Sequence, residues 1–227
     1  MTFDVAESAA RAVHDRSAAW RFIEGFAAEW AEPIEARDGW DHADLNAAER
    51  RLGVRLPGAV RDAYALFGKR PDLTSNQDWL LAPSELRVDD DVLVFRDENQ
   101  SVAAWGASLG GEDPEVLVKL DLVDRREEHW DTWLPRFSLA CVEMVLSESL
   151  FRDGAQTADR EMSGADTSLL HERFVALPVR GPGTRWFAGD DVIVREDLDE
   201  WLWARARTPE ALELLLEQVP GDWTTEH

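Results

Sequence analysis

The spacing of apolar positions changes character twice along the chain. Between residues 17 and 30, Trp20, Ile23, Ala27 and Trp30 recur at helical intervals with Phe26 beside them, and Pro33 ends the pattern. Residues 44–53 keep the same period. Leu45, Ala48 and Leu52 share a face, Asp44 is placed to cap the start, and Gly53 suits the left-handed stop. A third helix is expected to open at Pro57, with a stripe of Val60, Tyr64 and Phe67 closed by Gly68. The texture then turns strand-like in short apolar runs: residues 79–81, 92–95, 102–105 (stopped by Gly106) and 116–120, with 96–101 a turn-rich link. Helical spacing returns from Phe137 to Phe151 through Leu139, Val142, Val145, Leu146 and Leu150. Residues 152–168 are small and polar and read as a loop or linker. Runs at 174–177, 184–187, 192–194 and 200–206 read as a β-meander, and Pro209 opens a last helix through Leu212, Leu215 and Leu216.

Helices followed by strands, without regular βαβ alternation, predict an α+β fold with an antiparallel sheet. One domain is expected over residues 1–227. It divides into a helical extension at 1–43, a core at 44–150 and a strand-rich extension at 152–227, because a lone meander of that size would bury a thin core. The blocks around Trp105 and Trp203 are too dissimilar to indicate duplication, and no repeat of solenoid length is present.

Charge narrows the partners. There are 46 acidic and 24 basic residues, a net −22. Residues 77–150 hold 17 acids and 6 bases, and residues 151–227 hold 16 and 8. Such a field opposes nucleic acid and anionic membrane, whose binding needs clustered Lys and Arg, and it steers basic partners inward. High net charge also serves solubility alone. The single cysteine, Cys141, excludes an intrachain disulfide and sits in an apolar run as a core residue. The start has no basic segment followed by an apolar one, and no run approaches about 18 apolar residues, so a cytoplasmic protein is expected.

Catalytic and metal signatures are weak. The five histidines (His14, His42, His129, His171 and His227) lack metal-ligand spacing. His129, near Glu127, Glu128 and Asp131, reads as part of a solvated charged loop. No Gly-x-Ser-x-Gly elbow occurs, and the glycines of Gly181-Pro182-Gly183 lack the lysine and spacing of a phosphate loop. Asp190-Asp191 after Gly189 suggests a hairpin turn. Neither a catalytic residue, a metal nor a cofactor is expected. Of the eleven tryptophans, Trp20, Trp30, Trp105 and Trp201 lie on apolar patterns and read as core, whereas Trp40, Trp130, Trp133 and Trp223 have polar neighbours and suit a surface patch.

One ordered set of residues carries a resemblance. It comprises the segment from Ala48 to Pro57, with Leu52-Gly53, Leu56-Pro57 at its end; the helix around Tyr64; residues 80–86; the run Leu93-Val94-Phe95; the pair Glu98-Asn99; and Val102 with Trp105-Gly106. Over residues 44–150 this resembles the SMI1/KNR4 (SUKH) superfamily, and among its members the longer actinobacterial type. The resemblance implies an α+β fold with a strongly curved sheet and protein binding without catalysis. Bacterial members are linked to polymorphic toxin systems as immunity proteins, and fungal members to regulation of cell-wall synthesis.

The leading expectation is therefore a non-enzymatic immunity protein that neutralises a toxin domain with a basic surface. The acids expected to contact it are Asp89, Asp90, Asp91, Asp97, Glu98, Asp190 and Asp191. The alternatives are a regulatory scaffold for an endogenous protein, and an enzyme built on a carboxylate pair.

Overall fold

The computed structural model describes residues 3–164 and 166–226. The chain opens with α1 (Val5–Ala12) and α2 (Arg16–Trp30). Asp15 starts α2 by accepting hydrogen bonds from the backbone N–H groups of Ser17 and Ala18. Helix α3 (His42–Leu52) ends on Gly53 at φ 73°, the left-handed stop read from the sequence. It starts earlier than expected, with Asp41 at the cap position and Asp44 inside the first turn. Helices α4 (Gly58–Phe67) and α5 (Pro71–Thr74) follow, and Val60, Tyr64 and Phe67 are buried as their spacing requires.

Six strands then form a first antiparallel sheet: β1 (Trp79–Leu80), β2 (Arg87–Asp89), β3 (Val92–Asp97), β4 (Ala103–Ser108), β5 (Val116–Leu120) and β6 (Asp131–Leu134). The order is β1-β3-β4-β5-β6, and β2 also pairs with β3. Strand β4 runs through Gly106 rather than stopping there. Glycine is needed at that place, since a Cβ would lie 2.2 Å from Val92 Cγ1.

Helix α6 (Phe137–Ser149) is buried along all thirteen residues. An apolar stripe on one face would not suffice for that position, and its serines and glutamates find partners inside the fold. Asp113 accepts from Ser138 N–H and Oγ at its start, and Ser147 Oγ donates to Glu143.

The second antiparallel sheet has the order β12-β7-β11-β10-β9-β8. It comprises β7 (Gln156–Glu161), β8 (Val175–Ala176), β9 (Thr184–Gly189), β10 (Val192–Asp197), β11 (Trp201–Ala206) and β12 (Thr224–Glu226), with α7 (Asp166–Arg173) and α8 (Pro209–Gln218) between them. Strand β7 corrects the reading of 152–168 as a linker. Its polar composition hid it, because Arg160 is buried only through a two-pronged pair with Asp166 at 2.7 and 2.8 Å. Helices α1 and α7 and strand β6 were likewise not expected.

Two apolar cores result. The large one draws on α1 to α6, the first sheet and the residues Leu177, Val179, Trp186, Ala188 and Ile193 of the second part. The smaller one packs Phe187, Val192, Val194, Leu202 and Ala204 of the second sheet under Leu170 of α7 and Leu212 and Leu215 of α8. Alternation along the strands thus commits both faces of the second sheet.

The hairpins β3–β4 and β10–β11 are closer relatives in space than in sequence. Arg96 lies opposite Trp105, and Arg195 lies opposite Trp203. Both arginines reach the end of α6, at Glu148 and Ser147.

Candidate protein-docking face

The face of the first sheet turned away from α6 carries a hollow of about 480 Å³. Its floor follows from side-chain alternation on β4: Ala104 and Gly106 turn to the open side, and Trp105 turns inward against Trp133 and beneath Arg96. Small residues at the centre of a twisted sheet leave a depression. Every residue lining it belongs to a strand or strand connection. The corresponding side of the second sheet is roofed by α7 and α8.

Two ion pairs frame the hollow. Arg87 grips Asp97 through two hydrogen bonds of 2.9 and 2.6 Å, and Lys119 Nζ lies 2.9 Å from Asp89. These hydrogen bonds raise the pKa of Arg87 and of Lys119. Lys119 also lies 5.8 Å from the Trp130 ring centroid. Glu128 lines the hollow with a buried Oε1 that has no partner among the described residues. Val88 and Leu120 contribute exposed apolar surface, with Val102 exposed nearby on the β3–β4 loop. A hydrophobic floor inside a charged rim is the composition of a protein-binding patch.

The seven acids expected at the interface fall into two groups. Asp89 and Asp97 line the hollow, each already engaged by a cation of the same face. Asp90 and Asp91 are exposed and form the two-residue turn from β2 to β3, with φ of 48° and 62°. Glu98 caps its own loop, accepting from the N–H groups of Gln100 and Val102. Asp190 and Asp191 sit on the other sheet, in the β9–β10 turn beside a separate cleft, and Asp191 pairs with Arg207 at 2.9 Å. The structure therefore brings five of the seven to the first sheet and leaves two apart. Arg87 and Lys119 escaped the sequence reading; the available signal was Lys119, one of only two lysines, interrupting the apolar run 116–120.

Other expectations resolve simply. His129 is exposed, with Nε2 3.2 Å from Asp131, and Cys141 is buried. Trp40, Trp130 and Trp133 are partly buried against the large core and Trp223 against the small one, and Trp79 is the exposed tryptophan, at 50 %. Among the described residues, no group of three or more His, Cys, Asp or Glu is disposed to hold a metal, and no helix is long and apolar enough to cross a membrane. Comparison with protein families, curated proteins and solved structures returns no match.

Proposed function

We propose that this chain is a non-enzymatic protein-binding domain of the SMI1/KNR4 (SUKH) type, and that the open face of its first sheet docks a basic protein, a cognate toxin domain in the leading reading. The observation that carries this is the asymmetry between the sheets. The second is covered on both faces, whereas the first presents an unroofed hollow with an apolar floor and a charged rim.

The charge around that face selects the partner. Residues 77–150 have a net charge of −11, which includes Asp121 lining the hollow and the exposed Asp124 and Glu127 further along the β5–β6 connection. A toxin that acts on nucleic acid must expose cationic surface, which this rim attracts at long range while the apolar floor supplies contact.

The test is growth rescue on co-expression with the toxin-like product of a neighbouring gene, followed by co-purification. Rescue with a stable complex is the expected result. If the two folded proteins neither associate nor rescue, immunity is wrong, and a regulatory scaffold for an endogenous protein becomes the better account.

A further inference from the structure

Three arginines are almost wholly withdrawn from solvent on the strands: Arg96, Arg160 and Arg205, at 2, 5 and 5 % exposure. Arg96 meets Glu148 and Asp78, and Arg160 meets Asp166. Arg205, on β11, meets no carboxylate among the described residues, in a chain with 46 of them. Its Nη2 donates to the carbonyl of Trp30 at the end of α2, its Cζ lies 5.4 Å from the Trp30 ring centroid, and its Nε is buried without an acceptor among the described residues. Arg152 Nη1 donates to the same carbonyl at 3.0 Å and also lacks a carboxylate partner among the described residues.

The end of α2 offers these two guanidinium groups about half an elementary negative charge between them. A net positive site remains, and it opens on a cleft of about 410 Å³. Arg207 lines the cleft too, but is neutralised by Glu29 at 2.8 Å and by Asp191. Asp153 is the other carboxylate on its wall, beside Gln156. Opposite stands the N-terminus of α8, with Thr208 as its cap and Pro209 in its first turn. Its contribution is the helix dipole alone, since Pro209 has no N–H and Thr208 Oγ1 already accepts from the Ala211 N–H.

We propose that this cleft between the end of α2 and the start of α8 binds an oxyanion, a phosphate group, on Arg205 and Arg152. A tetrahedral oxyanion accepts from several donors at once, which suits two guanidinium groups. The cleft is larger than an isolated ion, so it admits the remainder of a small phosphate ester. Burial, followed by the nearby Arg152, depresses the pKa of Arg205 to about 10, a strain that a bound anion relieves. This inference is independent of docking at the first sheet.

The experiment titrates inorganic phosphate into the full chain by calorimetry and thermal melting, with ionic strength held constant by chloride. The same titration with adenosine monophosphate distinguishes the source of the phosphate. Saturable binding and a rising melting temperature with phosphate are expected. A tenfold or larger preference for the nucleotide identifies a phosphate ester as the ligand, and equal affinity identifies free phosphate. Arg152→Gln, at a partly buried position, is expected to fold and to weaken binding at least tenfold. Arg205→Met serves as the second variant if it folds. No saturable binding beyond chloride, or wild-type affinity in folded Arg152→Gln, overturns the proposal.

Discussion

Arg96 on β3 and Glu148 in the last turn of α6 form an ion pair with side chains 3 % and 0 % exposed. Glu148 also accepts from the backbone N–H groups of Asn76, Gln77 and Asp78, so one carboxylate ties the approach to β1, the middle of the first sheet and the central helix together. Burying two charges is unfavourable unless their remaining valences are met; Glu148 meets its own through those three N–H groups, and Arg96 also pairs with Asp78 at 3.0 Å, while its Nε has no acceptor among the described residues.

Removing Glu148 leaves Arg96 with Asp78 alone and takes the acceptor from three backbone N–H groups. Glu148→Leu is expected to cost about 3–5 kcal/mol in urea unfolding, because Arg96 loses one of its two carboxylates in a dry site and those N–H groups lose their acceptor. The double variant Arg96→Met/Glu148→Leu is expected to lose clearly less than the sum of the single variants. Additive losses would mean that the pair is not coupled.

The packing beside the hollow depends on Gly106, which is buried under Val92 and Trp130. Its hypothetical Cβ meets Val92 Cγ1 at 2.2 Å and Trp130 at 3.2 Å. Gly106→Ala is therefore expected to cost about 1–3 kcal/mol through overpacking. An unchanged denaturation midpoint would contradict the close packing of β3, β4 and Trp130.

Asp166 sets an acid limit on the second sheet. Burial alone would raise its carboxyl pKa, but hydrogen bonds from Arg160 and from the Ser163 N–H outweigh it and hold the group below its usual 3.8. A depressed carboxylate contributes fully above its unfolded value, and the contribution is lost as pH falls through the folded one. Asp38, held low by the Glu35 N–H and Arg70, acts in the same direction. Asp166→Asn is expected to cost about 3 kcal/mol at neutral pH and to flatten the loss of stability below about pH 4. A stability–pH profile parallel to that of the wild type would contradict this.

Asp90 and Asp91 occupy a turn that needs two positive φ angles. The pair Asp90→Asn/Asp91→Gly is expected to stabilise the hairpin by about 1 kcal/mol. Because two rim charges are lost, it is also expected to slow partner association and reduce its salt dependence. Unchanged association kinetics would leave these carboxylates a turn-forming role only.

How far the sequence reaches is visible in particular residues. The stripes of Val60, Tyr64 and Phe67 and of Leu139, Val142 and Leu146 were legible because apolar period alone decides them. Strand β7 was not, because its burial rests on the Arg160–Asp166 pair, which no local pattern announces. The acids of the hollow could be named, but Arg87 and Lys119 could not. Their importance comes from register: β2 against β3, and β5 against β4, bring distant residues onto one face. The arginine cleft was equally hidden, since Trp30, Arg152 and Arg205 meet only through tertiary packing.

The docking claim is tested most directly by filling the hollow. Ala104→Arg places a long side chain in it, and Leu214→Arg makes the same charge change on the exposed side of α8. With the partner recovered by co-expression, calorimetry is expected to show at least a hundredfold loss of affinity for Ala104→Arg and wild-type affinity for Leu214→Arg. Full affinity in a folded Ala104→Arg protein would place the binding face elsewhere and contradict the account.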